Sequence, residues 1–251
     1  MAKHVFNGFC KAARVTCDSV ATREQLLLYG MLPAERVVVV PNGVHPTCSA
    51  EPDPVADTQV AGFIGPASAG AVDILHVGST IPRKRIDVLL QIFATLRREF
   101  PQARLMRVGG SFTAVQVRLI EQLKLRDAVV VLPFLDRAVL AALYRRAALV
   151  LQPSEREGFG LPVIEAMACG TPVVASDIPA LREVGGEAAT YCAVADVSAW
   201  SEAVIQLLIE WRQHPDRWFA RRSAGIAQAA KFSWADYTSR MVALYQELLD
   251  S

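Results

Sequence analysis

Short apolar runs alternate with longer segments of helical period along most of this chain, and no other feature restricts its fold as strongly. The runs are rich in β-branched residues, as in VVVVP from Val37, DILHVG from Asp73 and TPVVAS from Thr171. Between such runs, segments like 87–100 and 136–146 carry apolar residues three and four positions apart, which is the spacing of an amphipathic helix. The alternation predicts βαβ units and hence an α/β fold, a parallel sheet flanked by helices.

Further segments extend this pattern. We also predict strands at RVTC from Arg14, ARLMRVG from Ala103, AVVVLP from Ala128 and AALVLQPS from Ala147, and helices over TREQLLLYG, 114–123, 162–168, 197–212, 215–231 and 233–249. After Thr190 the strand signals fade and helices dominate. Asp136 and Ser233 are candidate N-caps because each precedes a helical segment with a side-chain oxygen that can accept from the first free amides.

The composition narrows the classes of partner and compartment. With 26 basic and 25 acidic side chains and no long run of one sign, the chain lacks the charge pattern expected for binding nucleic acid or an anionic membrane. Its five cysteines are odd in number and form no CxxC pair, which indicates reduced thiols, no zinc site and a cytoplasmic location.

The N-terminal MAKHVFNGFCKAARVTC lacks the apolar core of a secretory signal, so we expect no cleaved leader. The most apolar long window, 60–78, contains four glycines, so we expect no transmembrane helix there; a peripheral membrane contact stays open.

A boundary is predicted after the first 45 residues. Residues 46–71, PTCSAEPDPVADTQVAGFIGPASAGA, are rich in Pro, Gly, Ala and Ser, which is typical of a linker. Residues 1–45 hold too few elements for an independent sheet domain, so we interpret them as the tail of a larger one. Residues 72–232 then form the main domain, and residues 233–251 a final helix.

The segment SEREGFGLPVIEAMACG, residues 154–170, is the strongest candidate for a ligand site, and the overlapping ALVLQPSEREGFGLPVIEAMA, residues 148–168, has the order strand, loop, helix. In parallel α/β sheets ligands bind beyond the carboxyl ends of the strands, where this loop lies. Gly158 and Gly160 allow close backbone approach, and Pro162 suits the first turn of a helix whose free amides attract phosphate. Glu157 in the loop and Glu165, expected in the first helical turn, could accept hydroxyl hydrogen bonds. This combination suits a nucleotide sugar, which has hydroxyls at both ends and a diphosphate between them.

A purely structural interpretation of the same residues stays open. Glu165 could stabilise the helix N-terminus through the helix dipole, and Glu157 could be a solvated loop charge. The segment also lacks the GxxxxGK[ST] motif, and Val163 occupies the third glycine position of GxGxxG.

A longer stretch, SEREGFGLPVIEAMACGTPVVASDIPALREVGGEAA, closely resembles the donor-binding signature of the retaining glycosyltransferases of family 4 (group 1), which have the GT-B fold. The two glutamates of that signature are separated by seven residues, as Glu157 and Glu165 are. VVVVPNGVHP, LHVGSTIPRKRIDVLL and ALYRRAALVLQPS also resemble family segments, in the family's order. The resemblance extends from Arg14 onward. It implies the C-terminal half of a GT-B enzyme, with a Rossmann-like sheet.

The resemblance also implies a role for individual residues. Glu157 would contact hydroxyls of the donor sugar, and Glu165 would hold the ribose. Lys84 would stabilise the departing diphosphate, on which negative charge builds as the glycosidic bond breaks; without the family context Lys84 would be a solvated lysine. The further donor-binding residues that it implies are Gly158, Phe159, Gly160, Leu161, Gly78, Ser79, Arg83, Phe134 and Leu135.

Some of these positions depart from the family pattern or have a plainer alternative. Ser79 replaces an arginine that the family often carries after the strand glycine, and Arg83 or Arg85 could take its place. Phe134 precedes Leu135 in the stretch that contacts the base in the family, and a packed phenylalanine is the alternative. His4, His45, His76 and His214 lack a second ligand at metal spacing and are interpreted as structural. Gly109 and Gly110 would either admit the donor or form a plain turn.

Two functions follow as expectations. The first is a retaining glycosyltransferase that uses a nucleotide diphosphate sugar without a metal or other cofactor and is incomplete in this chain. Residues 1–45 would be a remnant of its N-terminal acceptor domain, 72–232 its donor-binding domain and 233–251 a helix returning toward the missing domain. The second is a non-catalytic nucleotide-sugar-binding module that needs a partner chain. The acceptor, the base and the sugar are not indicated by the sequence.

Overall fold

The computed structural model describes residues 2–30, 32–66 and 71–250. The chain begins with a small unit in which two short strands pair in parallel, with Val15 beside Val37. Its elements are α1 (Ala2–Lys11), β1 (Val15–Cys17), α2 (Val20–Leu28), a 3-10 turn and β2 (Val37–Val39). Their apolar contacts form a separate small core around Val15, Leu32 and Val37.

The main sheet has six parallel strands in the order β5-β4-β3-β6-β7-β8, which confirms the α/β prediction. The strands are β3 (Val72–Val77), β4 (Ala103–Val108), β5 (Val129–Leu132), β6 (Leu149–Gln152), β7 (Val173–Ser176) and β8 (Thr190–Cys192). The helices are α3 (Pro54–Ile64), α4 (Ile86–Glu99), α5 (Ala114–Gln122), α6 (Arg137–Arg146), α7 (Leu161–Ala168), α8 (Pro179–Gly185), α9 (Val197–Gln213), α10 (Pro215–Ala229) and α11 (Trp234–Asp250). The order reverses between β3 and β6, and ligands of open α/β sheets bind at such a point.

The sheet is covered on both faces, because successive side chains of a strand point to opposite sides. Ile74 of β3 belongs to a core with the helices α4 and α9, whereas its neighbour Leu75 packs into a second core with α6 and α7. Both side chains are fully buried. Burial on both sides explains why these strands read as continuous apolar runs rather than as alternating ones.

The expected linker 46–71 is not irregular throughout, because it contains the 11-residue helix α3. Asp53 caps this helix by accepting from the amides of Val55 and Ala56, each at 3.1 Å, and Pro54 occupies its first turn. The signals interpreted as a linker were therefore partly helix-start signals. The helix packs against α6. The domain boundary assigned to this segment stays a prediction.

Two arginines anchor the C-terminal end of α3 to the sheet. Arg104 and Arg146 both bind the buried carboxylate of Asp73, and they also donate to the carbonyls of Ile64 and Gly65 at 2.7 and 2.6 Å. They thus satisfy carbonyl groups that a helix end leaves free.

Other local predictions have mixed outcomes. Ser233 caps α11 as expected, since its Oγ accepts from the amide of Asp236 at 3.0 Å. Asp136 occupies the N-cap position of α6, but its side chain makes no capping hydrogen bond, so that prediction is wrong in its chemistry. The helix α8 and the three-residue strand β8 were not predicted. All five cysteines are free.

Candidate functional site

The loop between β6 and α7 carries Glu157, which lies in a buried ion cluster. Its side chain is only 6% exposed and binds Lys84 Nζ at 2.6 Å and Arg83 Nη1 at 2.8 Å. Gln152, the last residue of β6, donates to the same carboxylate at 2.7 Å. Burial by itself would raise the pKa of Glu157, but the hydrogen bond from Lys84 and the other donors hold it below its usual value. Glu157 is therefore ionised and is not the solvated charge of the structural interpretation.

Lys84 reaches this cluster from the loop after β3. It ends the short 3-10 turn Pro82–Lys84, and its side chain is 9% exposed. A backbone hydrogen bond from the amide of Glu155 to the carbonyl of Arg83, 2.8 Å long, ties this basic loop to the loop that carries Glu157. Arg85 turns away and pairs with Asp87. Of the two arginines that could replace the missing one at position 79, only Arg83 lies at the cluster, while Ser79 itself is exposed.

Glu165 is the fifth residue of α7 and lies in its second turn, so the expectation of a first-turn position is wrong. The helix dipole acts mainly within the first turn, which weakens the capping interpretation. Tyr144 donates to Glu165 Oε2 at 2.9 Å. Burial raises the pKa of Glu165, although Tyr144, Arg137 and His45 act in the opposite direction. The side chain faces a cavity of about 460 Å³, whose lining also includes Gly43, His45, Pro46, Arg137, Leu161 and Trp234.

The turn between these glutamates has little space for side chains. Gly160 has φ +107°, and a Cβ there would lie 2.6 Å from Leu181 Cδ2. Phe159 is buried and packs edge to face on Phe232, with ring centroids 5.6 Å apart. The Gly158 carbonyl accepts hydrogen bonds from the hydroxyls of Ser19 and Thr22, two residues that follow β1. No local sequence pattern indicates this contact, in which Ser19 and Gly158 are 139 positions apart.

The ends of β3 and β4 meet through their glycines. A Cβ on Gly109 would lie 2.1 Å from the Gly78 carbonyl oxygen, and Gly109 has φ +119°. Arg107, which is fully buried, donates to the carbonyls of Gly78 at 2.6 Å and Gly110 at 3.0 Å. This arginine was missed because it lies in an apolar run that predicts only a strand. It fastens the two strand ends together.

His76 lies beside this arginine in the fully buried part of the sheet. Burial, with the nearby charges of Arg107 and Lys84, lowers its pKa to about 3, so the ring is neutral at physiological pH. Neither ring nitrogen has a hydrogen-bond partner among the described residues. No group of three or more His, Cys, Asp or Glu side chains in the described part of the chain could hold a metal ion.

Phe134 and Leu135 follow β5 and lie at a separate cavity of about 350 Å³, together with Gln59, Gly62 and Phe63 of α3. Phe134 is 86% exposed, so it is not the packed phenylalanine of the alternative interpretation. The structure therefore brings Glu157, Lys84 and Arg83 into direct contact, and places Phe134 and Leu135 beside the unpredicted helix α3.

These features define a class of protein: an α/β protein with a buried cluster of charged residues at the carboxyl edge of a Rossmann-like parallel sheet. Residues 64–221 match the family described as glycosyl transferases group 1, and the chain belongs to this family.

Two curated relatives show how much of the longer proteins is matched. The chain is 30% identical to a D-inositol 3-phosphate glycosyltransferase of Thermobispora bispora, over 95% of this chain and 57% of that protein. It is 31% identical to the O-antigen chain mannosyltransferase B of Escherichia coli, over 99% of this chain and 64% of that protein. The chain thus spans about 57 to 64% of the length of these relatives.

Solved structures share the fold. Sucrose-phosphate synthase from Thermosynechococcus elongatus superposes with a TM-score of 0.82 at 26% identity, over 100% of this chain and 62% of that one. Anabaena HepE in complex with UDP and glucose superposes with a TM-score of 0.80 at 20% identity, over 94% of this chain and 63% of that one. The fold is the Rossmann-like one of GT-B glycosyltransferases. Within the described residues, no helix is long and apolar enough to cross a bilayer.

Proposed function

We propose that this chain is the donor-binding half of a retaining family 4 glycosyltransferase, which moves a sugar from a nucleotide diphosphate sugar to an acceptor hydroxyl. The observation that carries the proposal is the buried cluster of Glu157, Lys84 and Arg83 at the carboxyl edge of the sheet. A buried carboxylate held by two cations is costly as a purely structural device, and such clusters are frequent at functional sites. That HepE was solved with UDP-glucose supports a donor of this class.

The hydrogen bonds of Glu157 fix the direction of its carboxylate. Lys84 and Gln152 donate to Oε1, and Arg83 donates to Oε2. A hydrogen bond from the Ser154 side chain also helps to hold the pKa of this carboxyl group below its usual value. We propose that the carboxylate held in this way contacts a hydroxyl of the donor sugar.

The same cluster supplies the charge that the leaving group needs. Negative charge builds on the nucleoside diphosphate as the glycosidic bond breaks, and a cation placed beside it lowers the barrier. Lys84 is rigidly held and water-poor, which strengthens its effect on a phosphate oxygen. Arg83 is more exposed and lies where it can act in place of the family arginine that Ser79 replaces.

Glu165 and its cavity of about 460 Å³ suit the ribose end of the donor. Two adjacent hydroxyls can donate to one carboxylate, and Tyr144 holds this one in place on its other side. Because the pKa of Glu165 is raised, the carboxylate loses its charge sooner than an ordinary glutamate as the pH falls. Nucleotide binding should therefore weaken on mild acidification.

The remaining parts of the proposal concern what lies around the donor. We place residues 72–232 as the donor domain and 233–251 as a helix returning toward an acceptor domain, of which residues 1–45 are part. The curated relatives are longer than this chain. We propose that further residues or a partner chain supply the acceptor-binding site and the remaining catalytic groups. We propose no metal requirement and a cytoplasmic location.

A second candidate is a nucleotide-sugar-binding module without activity of its own. The exposed serine at position 79, where the family often has an arginine, favours it because the diphosphate clamp is one cation short. The two candidates predict the same binding and differ in whether the bound sugar is released.

Calorimetric binding of UDP-, GDP- and ADP-sugars, with sugar release measured on the same panel, tests both. Glu165→Ala should weaken binding of the nucleoside diphosphate by about 2 to 4 kcal/mol, since two charge-assisted hydrogen bonds are lost. Glu157→Gln should weaken mainly the part of the affinity that the sugar adds. Glu202→Ala, on an exposed position of α9, is the matched control. Equal affinities for wild type and both site variants would contradict the site, and binding without sugar release would favour the module.

A further inference from the structure

The junction between β1 and α2, residues 18–22, lies directly against the loop that carries Glu157. Ser19 is fully buried and donates its hydroxyl hydrogen to the Gly158 carbonyl. The hydroxyl of Thr22 donates to the same carbonyl at 3.2 Å, and the amide of Thr22 donates to Ser19 Oγ at 3.0 Å. Ser19 Oγ also lies 3.0 Å from Thr22 Oγ1, but its one hydrogen serves a single acceptor. With that hydrogen on the Gly158 carbonyl, each hydroxyl hydrogen is used once and the three bonds can exist together.

The other side of the junction is held by the main domain as well. Glu183 of α8 accepts from the amides of Val20 at 2.9 Å and Ala21 at 3.3 Å, which are free amides at the start of α2. Its charge also complements the positive end of that helix dipole. The start of α2 is thus capped twice, by Ser19 from within the same segment and by Glu183 from α8.

The contact is closely packed at its two glycines, although a cavity of about 370 Å³ lies beside it, lined by α2 residues such as Ala21 and by Glu157. A Cβ on Gly158 would lie 3.3 Å from Asp18 Oδ2, which is tighter than ordinary van der Waals contact. Leu181 of α8 covers Gly160, where a Cβ would be 2.6 Å away. The loop thus contacts the β1–α2 junction at Gly158 and α8 at Gly160.

Holding the Gly158 carbonyl has a direct consequence for the neighbouring groups. A trans peptide is planar, with C=O and N–H pointing in opposite directions. Fixing this carbonyl toward Ser19 and Thr22 therefore turns the Phe159 amide to the other side of the chain, away from α2. It also fixes the backbone that immediately follows Glu157.

We propose that Ser19 and Thr22 are positioning residues for the donor loop: their hydroxyls hold the Gly158 carbonyl so that Glu157 and the Phe159 amide face the donor sugar. This inference rests on the proposed function and extends it to a part of the chain outside the donor domain. It implies that changes at the β1–α2 junction alter binding at the sugar subsite but not binding at the ribose subsite near Glu165.

The test compares Ser19→Ala and Thr22→Val with the wild-type chain. Thr22→Val keeps the shape of the side chain and leaves the Ser19 cap in place, and Thr22→Ser restores the hydroxyl. Asp196→Ala is the control for loss of a helix cap, because Asp196 caps α9 by accepting from the Ala199 amide. Two readouts are made on each: amide hydrogen exchange of residues 155–161 without ligand, and the ratio of affinities for a nucleotide sugar and its nucleoside diphosphate.

Ser19→Ala and Thr22→Val should both show faster amide exchange in residues 155–161. The ratio of affinities for the nucleotide sugar and the nucleoside diphosphate should fall by about 3- to 10-fold, which is the effect of one lost hydrogen bond. Thr22→Ser and Asp196→Ala should match the wild type in both readouts. Unchanged exchange in Thr22→Val, or an unchanged ratio where the wild type binds donor, would overturn the positioning role. A wild-type chain that binds no nucleotide sugar would instead count against the proposed function, and the exchange data would still decide whether the hydroxyls hold the loop.

Discussion

Replacing Lys84 by methionine should leave a buried carboxylate with too few partners. Glu157 is 6% exposed and Lys84 is 9% exposed, and their charged atoms lie 2.6 Å apart. Removing one member of a buried ion pair costs about 3 to 5 kcal/mol when nothing else compensates. Here Arg83 and Gln152 still donate to the carboxylate, so we expect a loss of about 2 kcal/mol in the free energy of unfolding near neutral pH.

The pH dependence identifies the cause of that loss. In the wild type the pKa of Glu157 lies below its ordinary value of 4.5, so its contribution to stability is complete above pH 4.5 and is lost as the pH falls through the lowered pKa. In Lys84→Met, burial dominates and the pKa of Glu157 should rise above 4.5. The destabilisation is then present at neutral pH and is relieved as the carboxyl becomes protonated. The stability difference between the two proteins should shrink steadily on acidification.

Urea unfolding between pH 4 and 8, an interval of about four units that includes the ordinary glutamate pKa, measures this difference. The double variant Lys84→Met with Glu157→Gln removes the unpaired charge and should recover at least half of the lost stability. Lys231→Met, at an exposed position of the chain, is the matched control and should change little. A loss that is independent of pH, or a double variant no more stable than Lys84→Met, would refute the argument from an unpaired buried charge.

Three further predictions concern the backbone and the edge of the site. Arg107→Met should lower the free energy of unfolding by about 2 to 3 kcal/mol, because the Gly78 carbonyl loses a charged donor; a loss below about 0.5 kcal/mol in urea would contradict this. Gly160→Ala should cost about 1 to 3 kcal/mol, since the position has φ +107° and no space for a methyl group, whereas Gly62→Ala in α3 has open space and should be neutral or stabilising. Thermal unfolding of the two glycine variants measures this difference in stability, and equal unfolding midpoints would contradict the prediction. Phe134→Ala should leave stability unchanged because the ring is 86% exposed, while shifting the preference among UDP, GDP and ADP in competition binding; an unchanged preference would remove Phe134 from the base subsite.

The pairing of Glu157 with Lys84 shows which part of the site could be predicted from the sequence and which part could not. Family resemblance selected both residues, but their separation of 73 positions gave no physical reason to join them. Considered alone, each residue could have been a solvated charge without a function. Their common burial, which rules out that alternative, depends on β3 and β6 being neighbours in the sheet. That neighbourhood is a property of the strand order, which local patterns do not encode.

Helix α3 was missed although the residues that start it are local in sequence. Its Pro, Gly and Ala residues were interpreted as linker composition, yet Pro54 occupies the first helical turn and Asp53 caps it. Local propensity left the segment ambiguous, and packing against α6 together with the anchoring arginines decided it. Short elements such as β8 were missed for a related reason, because three residues carry too little periodicity to be recognised.

The sequence by itself determined the α/β class, most of the strand and helix positions, and the strand, loop and helix that carry Glu157 and Glu165. These follow from hydrophobic period and turn chemistry, which act over a few residues and can be read locally. Only the tertiary structure decided that Arg107 fastens two glycine-ended strands, that Glu165 faces a cavity, and that Ser19 holds the Gly158 carbonyl from 139 residues away. Such contacts arise when distant strands are brought side by side, and their energy comes from burial and hydrogen-bond geometry that exist only in the folded chain.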